Sequence, residues 1–399
     1  MLSTLSTLST DALLFEFRTG IGPVRVYRRI PEELQTLWEG GLAFSPTDAR
    51  YYEILAATLN DQFEHLYLAL ADESGTFRAV QPFLLVKQDL VMGTPDSVRR
   101  AVAKVRQRFA GFLELPMIMI GCSAGEGDLA MDGVTGGFEW TATALQAAIL
   151  PVARHLKATM IVFKDFPKHY RSVLDSFAKS GFTRIPSMPA TGLDLGFPSF
   201  EAYMQDRLSH AMRKNLRRKF RKTEKVDLSF SVDPDISSIV DELVPLYRAV
   251  FNRAKQRFEE LNRDYFLRLN ARMPDRARFL VWRLKGKIVA FASCLVHDGV
   301  VRDNYIGLDY SVALDHHLYY VTWRDTVSWA ISEGYRHYHS APLNYDPKLH
   351  FRMELEPLDL YVRAVNNVLN PVFRPFLPWL EPTRYDRAIQ QFANAADLR

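Results

Sequence analysis

Cysteine is scarce: the chain has two in 399 residues, Cys122 and Cys294, far apart and without a CxxC or Cys/His spacing. Neither a disulfide framework nor a zinc site is supported, and a reducing, cytosolic setting is the expected one. Long apolar runs are also lacking. The longest, around Leu115–Ile120 and Ala142–Ala153, fall well short of the roughly 20 residues that span a bilayer, so no transmembrane helix is predicted. The N-terminus repeats Leu-Ser-Thr three times with no basic residue before Arg18. It lacks the charged region of a signal peptide and reads as a mobile leader over residues 1–18. No GxSxG elbow, HExxH, P-loop or GxGxxG after a strand occurs, so no alternative motif competes for the function.

What the chain does have is a concentration of positive charge. Between Arg207 and Lys225 lie nine Lys or Arg against one acid, Glu224, a local charge of +8. The whole chain carries +4, so everything outside the run is net acidic. A helix of this composition can hold phosphates, nucleic acid or an anionic membrane surface, or it can be a solvated face. At 399 residues with 48% hydrophobic content, the rest reads as about two packed domains rather than a disordered carrier.

The run stands between two halves with one order of elements. In the first half, 24–28 reads as a strand and 31–40 and 49–59 as helical. Strands 65–72 and 77–86 flank the turn signal ESGT, strand 117–121 precedes helix 141–156, and strand 158–163 precedes helix 170–180, which Gly181 ends. Strand 190–195 closes the half. In the second half, strand 226–232 and helix 236–254 precede strands at 277–284, 287–299 and 300–310, with Lys285-Gly286 and Asp298-Gly299 as tight turns. Helix 318–332, strand 335–341 and strand 358–365 follow. The apolar, proline-broken stretch 365–380 caps the core or lies at a membrane interface with Phe373, Phe376 and Trp379 inserted.

The order of elements, the segment Phe200-Glu201-Ala202-Tyr203 leading into Arg213-Lys214-Asn215-Leu216-Arg217-Arg218, the helix Trp323–Glu333, Tyr345–Lys348 and the strand Leu355–Arg363 together resemble the FemAB-like, peptidoglycan-biosynthesis-like branch of the GNAT acyltransferase superfamily. The resemblance implies an α/β (α+β) chain of two tandem GNAT-like domains, each a mixed, mostly antiparallel sheet flanked by helices. The expected plan is a leader (1–18), an N-terminal domain (19–197), a basic joining helix (198–225), a C-terminal catalytic domain (226–368) and a tail (369–399).

One departure stands out. A standard acetyltransferase places a Q/R-x-x-G-x-G/A loop after its fourth strand, so that backbone N–H groups at a helix N-terminus cradle the coenzyme A pyrophosphate. Here Tyr310–His317 contains no glycine, as is usual in the FemAB-like branch. The first half has a glycine-rich loop, Gly121–Gly127, but Glu126 within it would repel a phosphate, and its fifth strand, 158–163, has no titratable side chain. That half reads as a scaffold.

Acyl transfer to an amine needs a polarised donor carbonyl, a deprotonated amine and an acid for the leaving group. In this fold the carbonyl is expected to meet backbone N–H groups where the fourth and fifth strands splay, near 306–310 and 337–340. Asp309, Tyr310, His337, His339, Tyr345 and Lys348 are the candidates for proton handling, with Asp309, His339, Tyr345 and Lys348 taken as the catalytic set. Alternation puts His337 and His339 on one strand face, where they serve as a base or as plain polar surface. The resemblance implies a lysine near substrate; as a residue alone, Lys348 stays open between that role and a solvated loop charge. Charges at Arg302 and Asp303 in a central strand point to a polar cleft. Asp315-His316-His317 reads as a helix cap rather than a metal site. Arg213, Arg217, Arg218 and Tyr310 are the candidates for holding the donor.

The expected activity is N-acyl transfer from an acyl thioester co-substrate, acyl-coenzyme A or acyl carrier protein, to an amine such as the sphingoid base of a lipid. No permanently bound cofactor and no metal are expected. The alternatives are aminoacyl transfer from aminoacyl-tRNA and a non-enzymatic nucleic-acid or membrane binder. The expected location is the cytoplasm, with peripheral association at the inner membrane and an anionic membrane surface as a partner.

Overall fold

A computed structural model describes residues 12–89, 91, 96–254 and 257–399. Its strands are β1 (Leu13–Arg18), β2 (Pro23–Tyr27), β3 (Glu64–Ala71), β4 (Phe77–Asp89), β5 (Glu114–Ile120), β6 (Met160–Pro167), β7 (Thr183–Pro186) and β8 (Ala190–Asp194). They continue with β9 (Leu228–Asp233), β10 (Ala277–Leu284), β11 (Lys287–His297), β12 (Val300–Leu308), β13 (His337–Ser340), β14 (Glu354–Glu356) and β15 (Leu358–Ala364). The helices of the first part are α1 (Gln35–Gly41), α2 (Ala49–Thr58), α3 (Asp96–Arg106), α4 (Glu139–His155) and α5 (Arg171–Leu174). Those that follow are α6 (Phe200–Arg207), α7 (His210–Thr223), α8 (Val240–Phe251), α9 (Arg263–Arg272), α10 (Leu318–Ser332), α11 (Tyr345–His350) and α12 (Asn370–Phe373).

The chain divides into two compact units, one reaching to Ile185 and including Asp359–Leu380, the other Pro186–Leu358 with Glu381–Arg399. In the first, the strands run β1-β2-β3-β4-β5-β6-β15-β7. Neighbours from β1 to β5 are antiparallel, and β5 and β6 are parallel. Its core joins Leu66, Leu68, Phe83, Ile118 and Phe163 of the sheet to Leu145, Ile149 and Val152 of α4. In the second, the order is β14-β8-β13-β12-β11-β10-β9, again a mostly antiparallel sheet with one parallel pair, β12 and β13. Tyr338, Val301, Cys294 and Leu280 pack there under Leu216 and Phe220 of α7 and Val321 and Val327 of α10. Two mixed sheets flanked by helices are the architecture the resemblance implied.

Several boundaries differ from those read off the chain. Strand 190–195 reads as the close of the first half, yet β8 pairs with β13 and β14 in the second sheet. Strand 358–365 reads as the close of the second half, yet β15 inserts between β6 and β7 of the first. An apolar strand looks the same in sequence whichever sheet takes it up. Within the expected leader, residues 13–18 form the edge strand β1; residues 1–11 lie outside the described ones. The joining helix is two helices. Leu208 is extended (ψ 142°), and the Ser209 side chain accepts from the Met212 N–H at 3.3 Å to start α7. Of the tail, 381–399 packs on the second unit, with Ile389 and Phe392 against Tyr345 and Leu355.

Candidate active site

The parallel pairing of β12 and β13 is short. It runs from Val300 opposite His337 to Asp303 opposite Ser340 and ends with the Ala341 N–H bonded to the Asp303 carbonyl at 3.2 Å. Beyond that point β12 continues to Leu308 along β11. The other chain turns away through two consecutive left-handed residues, Leu343 (φ 77°) and Asn344 (φ 53°), into α11. A bulge sits at the parting, because Ser293 faces Tyr305 and Cys294 faces Asp303, leaving Asn304 unmatched. The extra residue re-aims the strand: Tyr305 packs against Tyr247 of α8 and Tyr265 of α9, while Ile306 joins the core under α10. This is the splay expected between the fourth and fifth strands.

A polar cluster lies at that parting. Asp303 accepts from the Tyr338 hydroxyl at 2.6 Å and from the Cys294 thiol at 3.9 Å. The Lys348 side chain, 4% exposed, donates to the Ala341 carbonyl. Burial lowers the Lys348 ammonium from the usual 10.5 to about 7, and the Asp303 charge only partly offsets it. Burial likewise raises the Asp303 carboxyl, against the Tyr338 hydrogen bond and the Lys348 charge. Tyr319, in the first turn of α10, is raised by burial with Asp303 as a second cause.

Other candidates sit elsewhere. His337 and His339 share a face, as alternation implies, and both bind Glu356. The His337 Nε2 lies 2.6 Å from Oε1, and His339 Nδ1 meets Oε2. His337 also meets Asp194 through Nδ1 at 3.0 Å. Burial acts to raise the Glu356 carboxyl, but His339 and His337 together hold it far below the carboxylate range. The clasp needs Gly192 of β8 beneath it, since a Cβ there would come within 2.1 Å of Glu356 Oε1. Tyr345 is buried and donates to the Pro189 carbonyl at 2.7 Å. Asp309 binds Lys287 Nζ at 2.9 Å and caps its own turn through the Ser311 N–H and hydroxyl. All four are held by hydrogen bonds; Lys348 and His339, the latter one register step before the parting, are the two of them that act on Asp303.

The basic helix divides in the same way. Arg213 donates to the carbonyls of Leu208 (2.5 Å) and Gln205 (3.3 Å), closing α6, and Arg217 pairs with Glu201. Arg218, Lys219 and Lys222 turn towards the start of α10. Lys219 Nζ stands 3.1 Å from the Tyr320 ring centroid. His317 is lowered by burial and then by Lys222, Lys219, Arg218 and His316. The cap expected at Asp315 is not the one formed; His317 holds that position in a left-handed conformation without a side-chain bond. Tyr310 is covered by the Arg253 guanidinium, 3.8 Å from its ring centroid. Lys219 and Lys222 were visible in the run, but only helical phase separates them from Arg213 and Arg217. An open groove of about 520 Å³ between α6, α7 and α10 is lined by Glu201 and Glu224 opposite Arg217, Arg221 and Arg324. It contains none of the splay residues.

In the first unit the corresponding parting is closed. The Gly121–Gly127 loop lies on β6, with the Gly127 N–H on the Asp165 carbonyl at 2.9 Å. Lys164 Nζ is 3.3 Å from the Cys122 carbonyl and 3.4 Å from that of Gly125. A Cβ on Gly127 would meet the Lys164 carbonyl at 2.4 Å, so this glycine serves close packing.

Residues 210–348, which hold α7, the splay and Lys348, match the acetyltransferase (GNAT) domain family. That stretch of the chain carries the match to the GNAT family. The matched stretch runs from α7 through β9 to β13 and into α11, leaving out β8 and β14 of the second sheet. The whole chain is similar in fold to L-PGS from Bacillus licheniformis, at 15% identity over 90% of this chain and 98% of that one, with a TM-score of 0.51. It is also similar to a protein from Bacteroides thetaiotaomicron, at 13% identity over 84% and 97% of the two chains, with a TM-score of 0.50. FemX is a further neighbour, at 11% identity over 82% and 93%, with a TM-score of 0.49. No curated protein matches the chain.

Proposed function

We propose that the protein is an N-acyltransferase that moves an acyl group from a thioester to an amine at the β12–β13 splay. The observation that carries this is the buried Lys348 donating to the Ala341 carbonyl where the strands part, within electrostatic reach of the buried Asp303. The amine nitrogen attacks the thioester carbonyl carbon, the C–N bond forms, the C–S bond breaks, and the thiolate leaves. Lys348, whose ammonium burial lowers to about 7, takes the proton the amine gives up, and that proton is available to the leaving sulfur. Asp303 stabilises the ammonium form in between. Backbone N–H groups of β12 past Asp303, with no partner strand on the β13 side, supply the polarising contacts to the carbonyl oxygen. Arg218, Lys219 and Lys222 beside the α10 N-terminus suit the phosphates that coenzyme A or the carrier-protein arm brings. An acceptor of the long-chain lipid amine class fits an enzyme working near a bilayer.

The test incubates the protein with labelled acyl-coenzyme A, acyl carrier protein or aminoacyl-tRNA and a bacterial amine and lipid extract. Transfer from a thioester donor is expected, with Lys348→Met lowering the rate by about 10²- to 10⁴-fold, the usual worth of a general base. Transfer from aminoacyl-tRNA alone, or from none, overturns the reading.

A further inference from the structure

The first unit carries an apolar surface that its own core does not use. After β15, Val365, Asn370 and Leu377 are buried, whereas Val372, Phe376 and Trp379 of the same stretch are 59%, 61% and 64% exposed. After α3, Phe109 and Phe112 are 64% and 43% exposed. These two groups belong to one end of one sheet. Asp89, ending β4, pairs with Glu114, starting β5, and the Arg106 guanidinium holds Asp89 (2.7 and 2.8 Å) and the Phe112 carbonyl (2.8 Å). Thr159, just before β6, accepts from the Val365 N–H just after β15 at 2.9 Å and itself bonds the Pro116 carbonyl of β5 at 2.8 Å. β4 and β15 are three places apart in the sheet, so the groups emerge about 14 Å from each other.

Two properties say what covers this end. The first is charge. Segments 99–113, 154–157 and 365–380 contain no Asp or Glu, and they expose Arg100, Lys104, Arg108, Arg154, Lys157 and Arg374 around the aromatics. The second is the backbone. Pro371, Pro375 and Pro378 have no N–H, and the amides of Val368, Leu369, Asn370, Val372, Phe373, Arg374, Phe376 and Trp379 all bond within the segment, to Asn366, Leu369, Asn370, Phe373 or Phe376. A loop that satisfies most of its own donors enters an apolar medium at lower cost than one with free amides. Aromatic side chains at the tip with cations around them match the interfacial layer of an anionic bilayer. Among the described residues no helix is long and apolar enough to cross a membrane.

We infer that this end of the first unit is a docking surface for an anionic phospholipid bilayer, with Phe376 and Trp379 inserted at head-group depth and Lys157 and Arg374 on the phosphates. The inference does not depend on the acyl-transfer reading, and its test needs no turnover. Full-length protein is floated with vesicles of phosphatidylcholine alone or mixed with phosphatidylglycerol. Binding to the mixed vesicles is expected, with a blue shift of tryptophan emission. Phe376→Ser with Trp379→Ser should lower the partition coefficient by about tenfold or more. Lys157→Glu with Arg374→Glu should abolish the preference for phosphatidylglycerol. All four side chains are exposed, so melting temperatures should not move, which separates lost docking from lost fold. Equal binding by wild type and both variants, or no binding by wild type, overturns the inference. So does a concentration-dependent dimer that the aromatic variant abolishes, because a second copy would then cover the patch.

Discussion

Lys348 ties stability to pH. A lysine that titrates at about 7 when folded and near the ordinary 10.5 when unfolded binds fewer protons in the folded state across that window. Stability is therefore lowest below pH 7 and rises as pH increases towards 10.5, by at most about 1.4 kcal/mol per pH unit. Denaturant unfolding at pH 7 and pH 9 should show this rise in the wild type and not in Lys348→Met; parallel slopes would remove the depressed lysine from the account. The same residue was legible in sequence only through family resemblance, since nothing in Asn344–Lys348 announces that its loop folds inward. Asp303 reads in the sequence as a charge in a central strand, but the Tyr338 hydroxyl reaches it only through the register of β12 on β13. Asp309 carries a second signal, since Asp-x-Ser is also a turn signature, and its carboxylate bonds the Ser311 amide and hydroxyl of its own turn.

At the scale of elements, the basic helix has two jobs separated by helical phase. Leu216, Phe220 and Thr223 face the core, Arg213 and Arg217 reach back to α6, and Arg218, Lys219 and Lys222 look towards α10. Lys219→Glu with Lys222→Glu should raise KM for a phosphate-bearing donor about tenfold or more and flatten its salt dependence while kcat holds. Arg213→Ala should leave KM alone and lower the melting temperature. Steady-state kinetics at two ionic strengths, with thermal melts, distinguishes these outcomes. A change in kcat alone would place the lysines in the chemistry instead. Strand and helix positions were readable because alternation and the 3.6-residue period are local properties. The break at Leu208–Ser209 carried a signal too, a serine followed by helix formers, but the run of charge hid it.

For the whole molecule, the exchange of β8 and β15 matters most. Sequence pattern gave both as strands and could not say which sheet takes them, because that choice depends on pairing partners far along the chain. Tyr361 on β15 is 2% exposed and belongs to the first unit's core. Tyr361→Ala should cost about 3–5 kcal/mol and open the amides of β5 to β7 in hydrogen exchange while those of β10 to β12 stay protected. Loss of protection in the second sheet first would contradict the assignment of β15.

That placement also sets an order of events during synthesis. When the ribosome has delivered residue 185, the first sheet has β6 and β7 but no strand to put between them. The second sheet can acquire β8 to β14 in sequence before β15 emerges. The first sheet is therefore completed only after the strands of the second have emerged, and until then the flanks of β6 and β7 are the exposed edges that a chaperone or a neighbouring nascent chain would meet; the second unit in turn waits for its own last segment, 381–399.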